Sequence, residues 1–329
     1  MQRPSSLGLL ALVSIAAATS IVVSAQTTHL RLVSTPWPPF TNEAEPRFAL
    51  DLVEAALARI GMSATTTIVE PATFTASLLS NGFDGSAAAW KDPDRESALV
   101  FSQPYLENRL ILVGRHGEDV SAGSLTDLKG RRVAIVEGYA YGEGISNSGA
   151  TLVRSRGEED SLTQLLANKA DFALMDDLVV QYILDHYPNQ AKTRLSVGSQ
   201  PLLTRPLYFA LRRSYPNAAT IVSRFNSQLR GMIADKTYHR LLHVTWIRAD
   251  VDGDGIPEYV PQSDKSGSVQ PAHAYALFAE ASGAEAPKRF YYGGSIYTDW
   301  ASVPNRYKAD DPRYPDPARS TASIFRFVW

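Results

Sequence analysis

The sequence of 329 residues contains no cysteine and no strong excess of charge of either sign. Without cysteine the chain forms no disulfide and carries no thiol for a lipid anchor. Its formal net charge is −2, and no basic stretch is long enough to follow a phosphate backbone. Nucleic acid is therefore not an expected partner.

Long apolar runs are also missing, except at the start of the chain. Arg3 is the only charge before LGLLALVSIAAATSIVVSA, and VSA at Ala25 has the small-x-small form that signal peptidase reads. This pattern predicts a cleaved signal peptide over 1–25, with an uncleaved anchor as the alternative. No later run approaches the roughly 18 apolar residues that span a bilayer. We therefore expect a periplasmic protein that is not inserted in the membrane.

Strands and helices alternate along most of the chain, which indicates an α/β fold with parallel sheets flanked by helices. Ligands of such folds bind at the carboxyl ends of strands. The predicted strands are HLRLVS (29–34), ATTTIVE, FDGSAAAW, RLILVGR (109–115), RRVAIVEG, TLVRSR, DFALMD and PLYFALRR (206–213). The predicted helices are FALDLVEAALARIG (48–61), ATFTASLLSNG, one starting at Tyr141, EEDSLTQLLANKA, DLVVQYILDHY and a final pair reaching Trp246.

Six stretches in a fixed order carry a resemblance over about residues 29–246. They are WPPF (37–40), FALDLVEAALARIG, FDGSAAAWKDPDRESALVFSQPY, LKGRRVAIVEGYAYG, ADFALMDD and FNSQLRGMIADKTYHRLLHVTW. In this order the chain resembles the periplasmic solute-binding proteins of ABC transporters, extracellular solute-binding protein family 3, the polar-amino-acid type.

The resemblance implies two α/β lobes joined by two hinge strands that close over a small polar solute. Lobe one would comprise 26–113 and 208–250, and lobe two 114–207, leaving a C-terminal extension at 251–329. The implied function is delivery of an amino acid, or a related carboxylate or amine, to an ABC permease. The protein would act as a monomer without a required cofactor.

The resemblance also implies the binding residues. Arg95 stands where the family has the arginine that clamps a ligand carboxylate, and a guanidinium fork suits two carboxylate oxygens. Trp37 and Trp90 are candidate aromatic walls, and Tyr139 lies in the loop that would face them. Asp176 stands where the family has the partner of the ligand ammonium. Surface ion pairing for Arg95, core packing for the tryptophans and helix capping for Asp176 are the structural alternatives.

Three departures from the family pattern put an α-amino-acid ligand in question. Asp92 replaces a threonine beside Arg95, Arg47 replaces a glycine before the first helix, and EGYAYG (137–142) replaces a loop rich in hydroxyl groups. The alternative function is a periplasmic lyase on the same fold, of the cyclohexadienyl-dehydratase type. Asp92, Glu137 or Asp176 would then serve as its general acid or base.

The extension contains one motif, DVDGDGIPE. Asp250, Asp252 and Asp254 alternate along this loop, and Gly255 holds the sixth position, where a calcium-binding loop turns sharply. The carbonyl of Ile256 and the carboxylate of Glu258 would complete a structural calcium site, with a solvated acidic turn as the alternative. The twelfth position is Pro261, so a full EF-hand is missing. We expect the extension, with its aromatic and proline-rich tail, to lie on lobe one, far from the solute.

Overall fold

The computed structural model describes residues 28–44, 46–242, 244–271, 274–277 and 288–309. The predicted signal peptide and the terminal FRFVW therefore lie outside the described residues. In the part of the chain that is described, no helix is both long and apolar enough to cross a bilayer.

The first third of the fold follows the predicted alternation. Helix α1 buries one apolar face, including Leu50 and Leu57, and it ends just before Gly61, whose positive φ of 76° suits glycine. The elements are β1 (Thr28–Ser34), α1 (Phe48–Arg59), β2 (Met62–Ile68), α2 (Pro71–Leu79), β3 (Gly85–Ala89), α3 (Pro93–Ala98) and β4 (Leu99–Phe101).

The middle of the chain forms a second set of elements. Helix α4 begins at Glu143 rather than at Tyr141 as predicted, because Gly142 before it has a φ of 86°. The elements are β5 (Leu106–Arg115), β6 (Arg132–Val136), α4 (Glu143–Ser146), β7 (Thr151–Ser155), α5 (Glu158–Leu166), β8 (Phe172–Asp176), α6 (Asp177–His186), α7 (Pro188–Arg194) and β9 (Leu195–Arg212).

One sheet of nine strands runs through both halves in the order β2-β1-β3-β9-β5-β8-β6-β7, with β4 paired to β9. Strand pairs are parallel within each half, as β1–β2 and β6–β7 are. The prediction of parallel sheets is wrong where the halves meet, because β5 and β9 are antiparallel to each other and to their outer neighbours β8 and β3. These two long strands are the connections between the halves, as the predicted hinge segments require.

The chain then returns to the first half through α8 (Ala218–Ala234) and α9 (Thr237–Leu242). The predicted final helix is too long, since Trp246 begins a strand. A second sheet, in the order β12-β10-β11-β13-β14, forms the extension. Its strands are β10 (Trp246–Ala249), β11 (Glu258–Pro261), β12 (Tyr275–Ala276), β13 (Arg289–Tyr292) and β14 (Ser295–Tyr297).

The extension packs on two parts of the molecule. His239 on α9 is fully buried and its Nε2 lies 2.8 Å from the carbonyl oxygen of Val260. The hydroxyl of Tyr275 donates to the carbonyl oxygen of Glu107 on β5 at 2.9 Å. Both partners, His239 and Glu107, lie within the bounds predicted for lobe one, although Tyr275 reaches a strand that connects the halves.

Candidate functional site

Trp37 is held in a tight turn at the carboxyl end of β1. Its N–H donates to the carbonyl oxygen of Thr41 at 2.7 Å, and the Thr41 N–H returns a bond of 3.0 Å to the Trp37 carbonyl. The Thr41 hydroxyl also donates to the carbonyl oxygen of Thr35 at 2.6 Å. The turn fixes the indole in a position where it is only 5% exposed.

Asp92 organises the turn that carries Arg95. One carboxylate oxygen caps α3 by accepting the Arg95 N–H at 2.8 Å, as expected of an aspartate at a helix N-cap. The other oxygen lies 3.0 Å from Nε of the same arginine. The aspartate that replaces the family's threonine thus fixes both the backbone and the guanidinium of Arg95.

The Arg95 guanidinium is buried and has further partners. It donates to the Trp90 carbonyl at 3.0 Å and to the Thr75 hydroxyl at 2.7 Å, and a longer contact of 3.4 Å reaches the Gly138 carbonyl in the other half. Burial lowers the pKa of Arg95, while the charge of Asp92 opposes that shift. Arg95 therefore pairs with Asp92, as the structural alternative held, but the pair is buried on the arginine side rather than on the surface. A ligand carboxylate would have to share the guanidinium with Asp92, and the role of Arg95 as a clamp stays a prediction.

Four aromatic rings close the space between the halves. Trp37 lies 5.4 Å from Trp90 and 5.6 Å from Tyr139, both edge to face, and Trp90 lies 5.5 Å from Tyr139 and 5.6 Å from Tyr141. The tryptophans come from the first half and the tyrosines from the loop after β6. Edge-to-face pairs of this kind are favourable beyond their burial.

A small pocket with a cavity volume of about 30 Å³ lies among these rings. It brings together four residues that the sequence singled out. The lining residues are Thr35, Trp37, Phe74, Ala88, Trp90, Arg95, Gly138, Tyr139, Ala140 and Leu207. That these residues hold a solute stays a prediction.

Asp176 is not among the lining residues. Its carboxylate is fully buried, caps α6 through the Leu178 N–H at 2.9 Å and accepts the Asn108 side-chain amide at 2.9 Å. Asn108 in turn accepts the indole N–H of Trp90 at 2.8 Å. Asp176 is therefore both the helix cap that the alternative interpretation predicted and the end of a buried chain that holds Trp90.

Two charged residues near the pocket were missed from the sequence. Arg205 on β9 donates to the Lys91 carbonyl and lies 5.8 Å from the Trp90 ring. Glu158, the first residue of α5, is 5% exposed, and burial raises its pKa to about 8. No sequence signal distinguishes Glu158, because acidic residues are common in the first turn of helices.

Charged groups near the pocket form two pairs. Arg95 and Arg205 act on each other, and burial lowers the pKa of both guanidinium groups. Glu158 and Asp176 act on each other, and burial raises the pKa of both carboxyl groups. Of these four residues, Arg95 is the one that lines the pocket.

The acidic loop of the extension is arranged differently from the calcium prediction. Oxygens of Asp250, Asp252 and Asp254 lie within 4.8 Å of one another. The Arg289 guanidinium, however, pairs with Asp254 at 2.5 Å, with the buried Glu258 at 2.7 Å and with Asp252 at 3.3 Å. Ile256 participates through its N–H, which donates to Asp254 at 2.8 Å.

An internal cation thus already pairs with three of the predicted calcium ligands. The oxygen donors suit a hard cation, but calcium would compete with Arg289 for them. The calcium site remains a prediction.

The fold defines a class before any comparison of sequences. Two α/β halves joined by two long strands, with a cleft of aromatic and charged residues between them, are the architecture of two-lobed binding proteins. The chain belongs to the bacterial extracellular solute-binding proteins, family 3, whose profile matches residues 31–248. The resemblance recognised in the sequence is confirmed. The extension lies almost entirely beyond the matched residues.

Solved structures share this fold at low sequence identity. An ancestral arginine-binding protein bound to arginine has 22% identity and a TM-score of 0.55, over 65% of this chain and 96% of its own. The GluR0 ligand-binding core with L-glutamate has 18% identity and a TM-score of 0.56, over 67% and 99%.

The P235GK mutant of ArgBP from T. maritima has 23% identity and a TM-score of 0.54, over 65% of this chain and 93% of its own. No curated protein matches the chain.

Proposed function

We propose that the protein binds a small polar solute, an amino acid or a related carboxylate or amine, in the cleft between its halves. The observation that carries this proposal is the pocket itself, in which Trp37, Trp90 and Arg95 from one half meet Tyr139 from the other. The similar solved structures, an arginine-binding protein with arginine and the GluR0 core with L-glutamate, support the same solute class.

The proposal includes the cellular role that the family implies. The mature chain is a monomer in the periplasm, the solute closes the lobes about β5 and β9, and an ABC permease receives the solute from the closed form. The lobe bounds of 26–113 with 208–250, and of 114–207, belong to this proposal. Its support is that β5 and β9 pair with each other and with one outer strand from each half.

A thermal-shift screen tests the proposal. The mature protein is heated with each of the 20 common amino acids, with organic amines and with dicarboxylates. A solute at 100 times its Kd stabilises the folded state by about 2.7 kcal/mol, which is readily measured. Size-exclusion chromatography with light scattering tests the monomer. If no amino acid, amine or carboxylate raises the melting temperature, the proposal is wrong.

The lyase remains the alternative, although its candidate acids are poorly placed. Asp92 is paired with Arg95, Glu137 is exposed and Asp176 lies beneath the pocket wall. Incubation of the mature protein with prephenate separates the two functions. Turnover would indicate the lyase, whereas saturable binding of an amino acid without turnover would indicate the binding protein.

A further inference from the structure

Glu158 has no function in the proposal so far, although it is a buried acid beside the cleft. Its carboxyl group lies near the Trp37 indole and near the Tyr139 and Tyr141 rings. Among the described residues, no lysine or arginine forms an ion pair with it. Buried carboxylates in proteins are normally paired or hydrogen-bonded, so the position calls for a partner.

Three buried polar atoms around Glu158 lack a hydrogen-bond partner. They are Oε2 of Glu158, Nε1 of Trp37 and the hydroxyl oxygen of Tyr139. The Trp37 N–H is close enough to Glu158 to lower the acid's pKa, and the Tyr139 hydroxyl is close to the Thr35 side chain, yet neither contact is an aligned hydrogen bond. Unsatisfied buried groups are rare in native structures and indicate a water, an ion or a ligand.

Two of these atoms belong to Trp37 and Tyr139, which line the pocket, whereas Glu158 interacts with both residues but is not itself a lining residue. The unpaired acceptor lies behind two aromatic rings, and aromatic faces attract cations. A group that carries positive charge and several N–H donors matches this surrounding. An ammonium has three such donors.

Asp176 is less suited to the same task. Each of its two oxygens already accepts a bond from the protein, one from Leu178 and one from Asn108. Through Asn108 it holds the indole of Trp90. It is therefore a positioning residue for the aromatic wall, separated from the pocket by the groups that it orients.

We propose that Glu158, rather than Asp176, is the carboxylate that receives the cationic group of the solute, with Trp37 and Tyr139 enclosing that group. This inference rests on the proposed function, since it names one residue of the same cleft. The solute class that it specifies is an ammonium or guanidinium compound that fits between aromatic rings. Arg95 and Arg205 disfavour a solute that carries positive charge alone. This effect is smaller when Arg95 stays paired with Asp92 and Arg205 stays bonded to the Lys91 carbonyl.

A proton accompanies the binding step. In the empty cleft burial raises the pKa of Glu158 to about 8, so the carboxyl group is protonated at neutral pH. The titratable groups that interact with Glu158 are Tyr139, Tyr141 and Asp176, and burial raises the pKa of all three. When a cation arrives, the carboxyl O–H bond breaks, the proton goes to solvent and the carboxylate pairs with the cation.

The test uses the mature protein and two probe sets. L-arginine, L-lysine, L-glutamine and L-glutamate carry both an ammonium and a carboxylate, whereas agmatine and putrescine carry cations alone. Calorimetry in phosphate and in Tris gives the Kd and, from the difference in heat, the protons released. The variants are Glu158→Gln and, as matched control, Glu159→Gln on the next residue of the same helix turn.

We expect binding of the wild type to tighten as pH rises from 6 to 8 and to release up to one proton at pH 7. Glu158→Gln should weaken binding at pH 8 by at least 30-fold and abolish the proton release, whereas Glu159→Gln should change neither. Glu158→Gln should also raise the melting temperature at pH 8 more than at pH 5, because it removes a buried acid. That gain confirms that the variant is folded.

The outcomes separate this inference from the proposed function. If amino acids bind and Glu158→Gln leaves both the Kd and the proton release unchanged, the inference is wrong and the function stands. If no amino acid binds but agmatine or putrescine binds through Glu158, the inference stands and the amino-acid part of the function fails. If none of the cationic probes binds the wild type, the inference is wrong.

Discussion

The cleft and the C-terminal extension each bury a carboxylate, but they provide its partner in different ways. In the extension, the side chain of Glu258 is fully inaccessible to solvent and pairs with Arg289 of the same chain. In the cleft, Glu158 is almost as buried, yet no cation among the described residues pairs with it. The first arrangement is complete by itself, whereas the second leaves a place for a charge from outside.

This difference distinguishes a structural site from the proposed binding site. A carboxylate with its own arginine needs no ligand, and removal of the arginine is costly because it leaves the acid unpaired. A buried carboxylate without one costs stability in the free protein, and a ligand that binds the folded form recovers that cost. The matched family residues contain the incomplete site, and the extension beyond them contains the complete one.

We expect the largest effect on binding from the replacement of Arg95. This residue has a charge partner within the chain, Asp92, and it also lines the pocket. If it holds a solute anion, Arg95→Ala should weaken binding by about 2–5 kcal/mol, the usual loss when one partner of a desolvated pair is removed. Arg95→Lys should restore little, since an ammonium cannot imitate the guanidinium fork. Calorimetry with the solute found in the screen measures the loss.

A second variant, Asp92→Asn, tests whether Asp92 competes with a solute carboxylate for Arg95. Asparagine keeps an oxygen that can cap α3 but removes the negative charge beside Arg95. A solute with a carboxylate should therefore bind more tightly to Asp92→Asn than to the wild type. If Arg95→Ala is folded and binds the solute with unchanged affinity, Arg95 belongs with Arg289 among the structural arginines.

Arg289→Gln is expected to have the next largest effect. It leaves Glu258 without a cation beside Asp252 and Asp254, so the unfolding free energy should fall by about 2–3 kcal/mol. This is less than the ~3–5 kcal/mol of fully buried pairs, because the two aspartates are partly exposed and stay solvated. Thermal unfolding measures the change, with Arg306→Gln as a control at an exposed arginine of the same extension.

Calcium titration of the same variants tests whether Arg289 competes with a metal ion for the acidic loop. The wild type should bind calcium weakly, on the order of 10⁻⁴–10⁻³ M, as extracellular loops do. Arg289→Gln should bind it more tightly and regain stability in millimolar calcium, because the competing guanidinium is gone. An Asp252→Ala/Asp254→Ala variant should lose the response. If calcium raises the melting temperature of neither the wild type nor Arg289→Gln, the acidic loop is only a turn.

Much of the fold could be predicted from sequence because the signals are local. Apolar periodicity over α1 and a glycine just after it mark the helix without knowledge of its neighbours. The antiparallel pairing of β5 and β9 is a property of two segments that are far apart in the chain, and alternation alone suggested parallel sheets. The extension was missed as a sheet because its strands have only two to four residues.

The candidate site could likewise be predicted only in part from the sequence. Trp37, Trp90, Arg95 and Tyr139 were found through the order of motifs, and the fold brings them to one pocket. Glu158 looked like one of several acids that favour a helix start. What distinguishes it is burial against Trp37 and Tyr139, which depends on how the two halves meet. A tertiary contact of this kind leaves no mark in a local pattern.

Gly138 allows a test of how closely the halves must approach. A methyl group at Gly138 would lie 2.3 Å from the Pro71 carbonyl oxygen, across the cleft. If Gly138→Ala reduces the closed population to about 1–10%, the Kd should rise about 10–100-fold. Gly117→Ala is a matched control, since Gly117 also has a positive φ, of 85°, but nothing lies within 4 Å of its added methyl group. Equal affinities of the two variants would show that this contact is not needed for binding.

The smallest expected effect concerns the link between the two regions. Tyr275→Phe removes one hydrogen bond, from the extension to the Glu107 carbonyl on β5, and keeps the ring. The unfolding free energy should fall by about 1 kcal/mol, the net value of a typical hydrogen bond. Tyr292→Phe is the matched control, because the Tyr292 hydroxyl bonds to Ser266 within the extension. Amide hydrogen exchange should become faster in β5 (Leu106–Arg115) for Tyr275→Phe alone. Equal protection of β5 in both variants would mean that the extension touches this strand without stabilising it. The site at Glu258 and the site at Glu158 would then be independent.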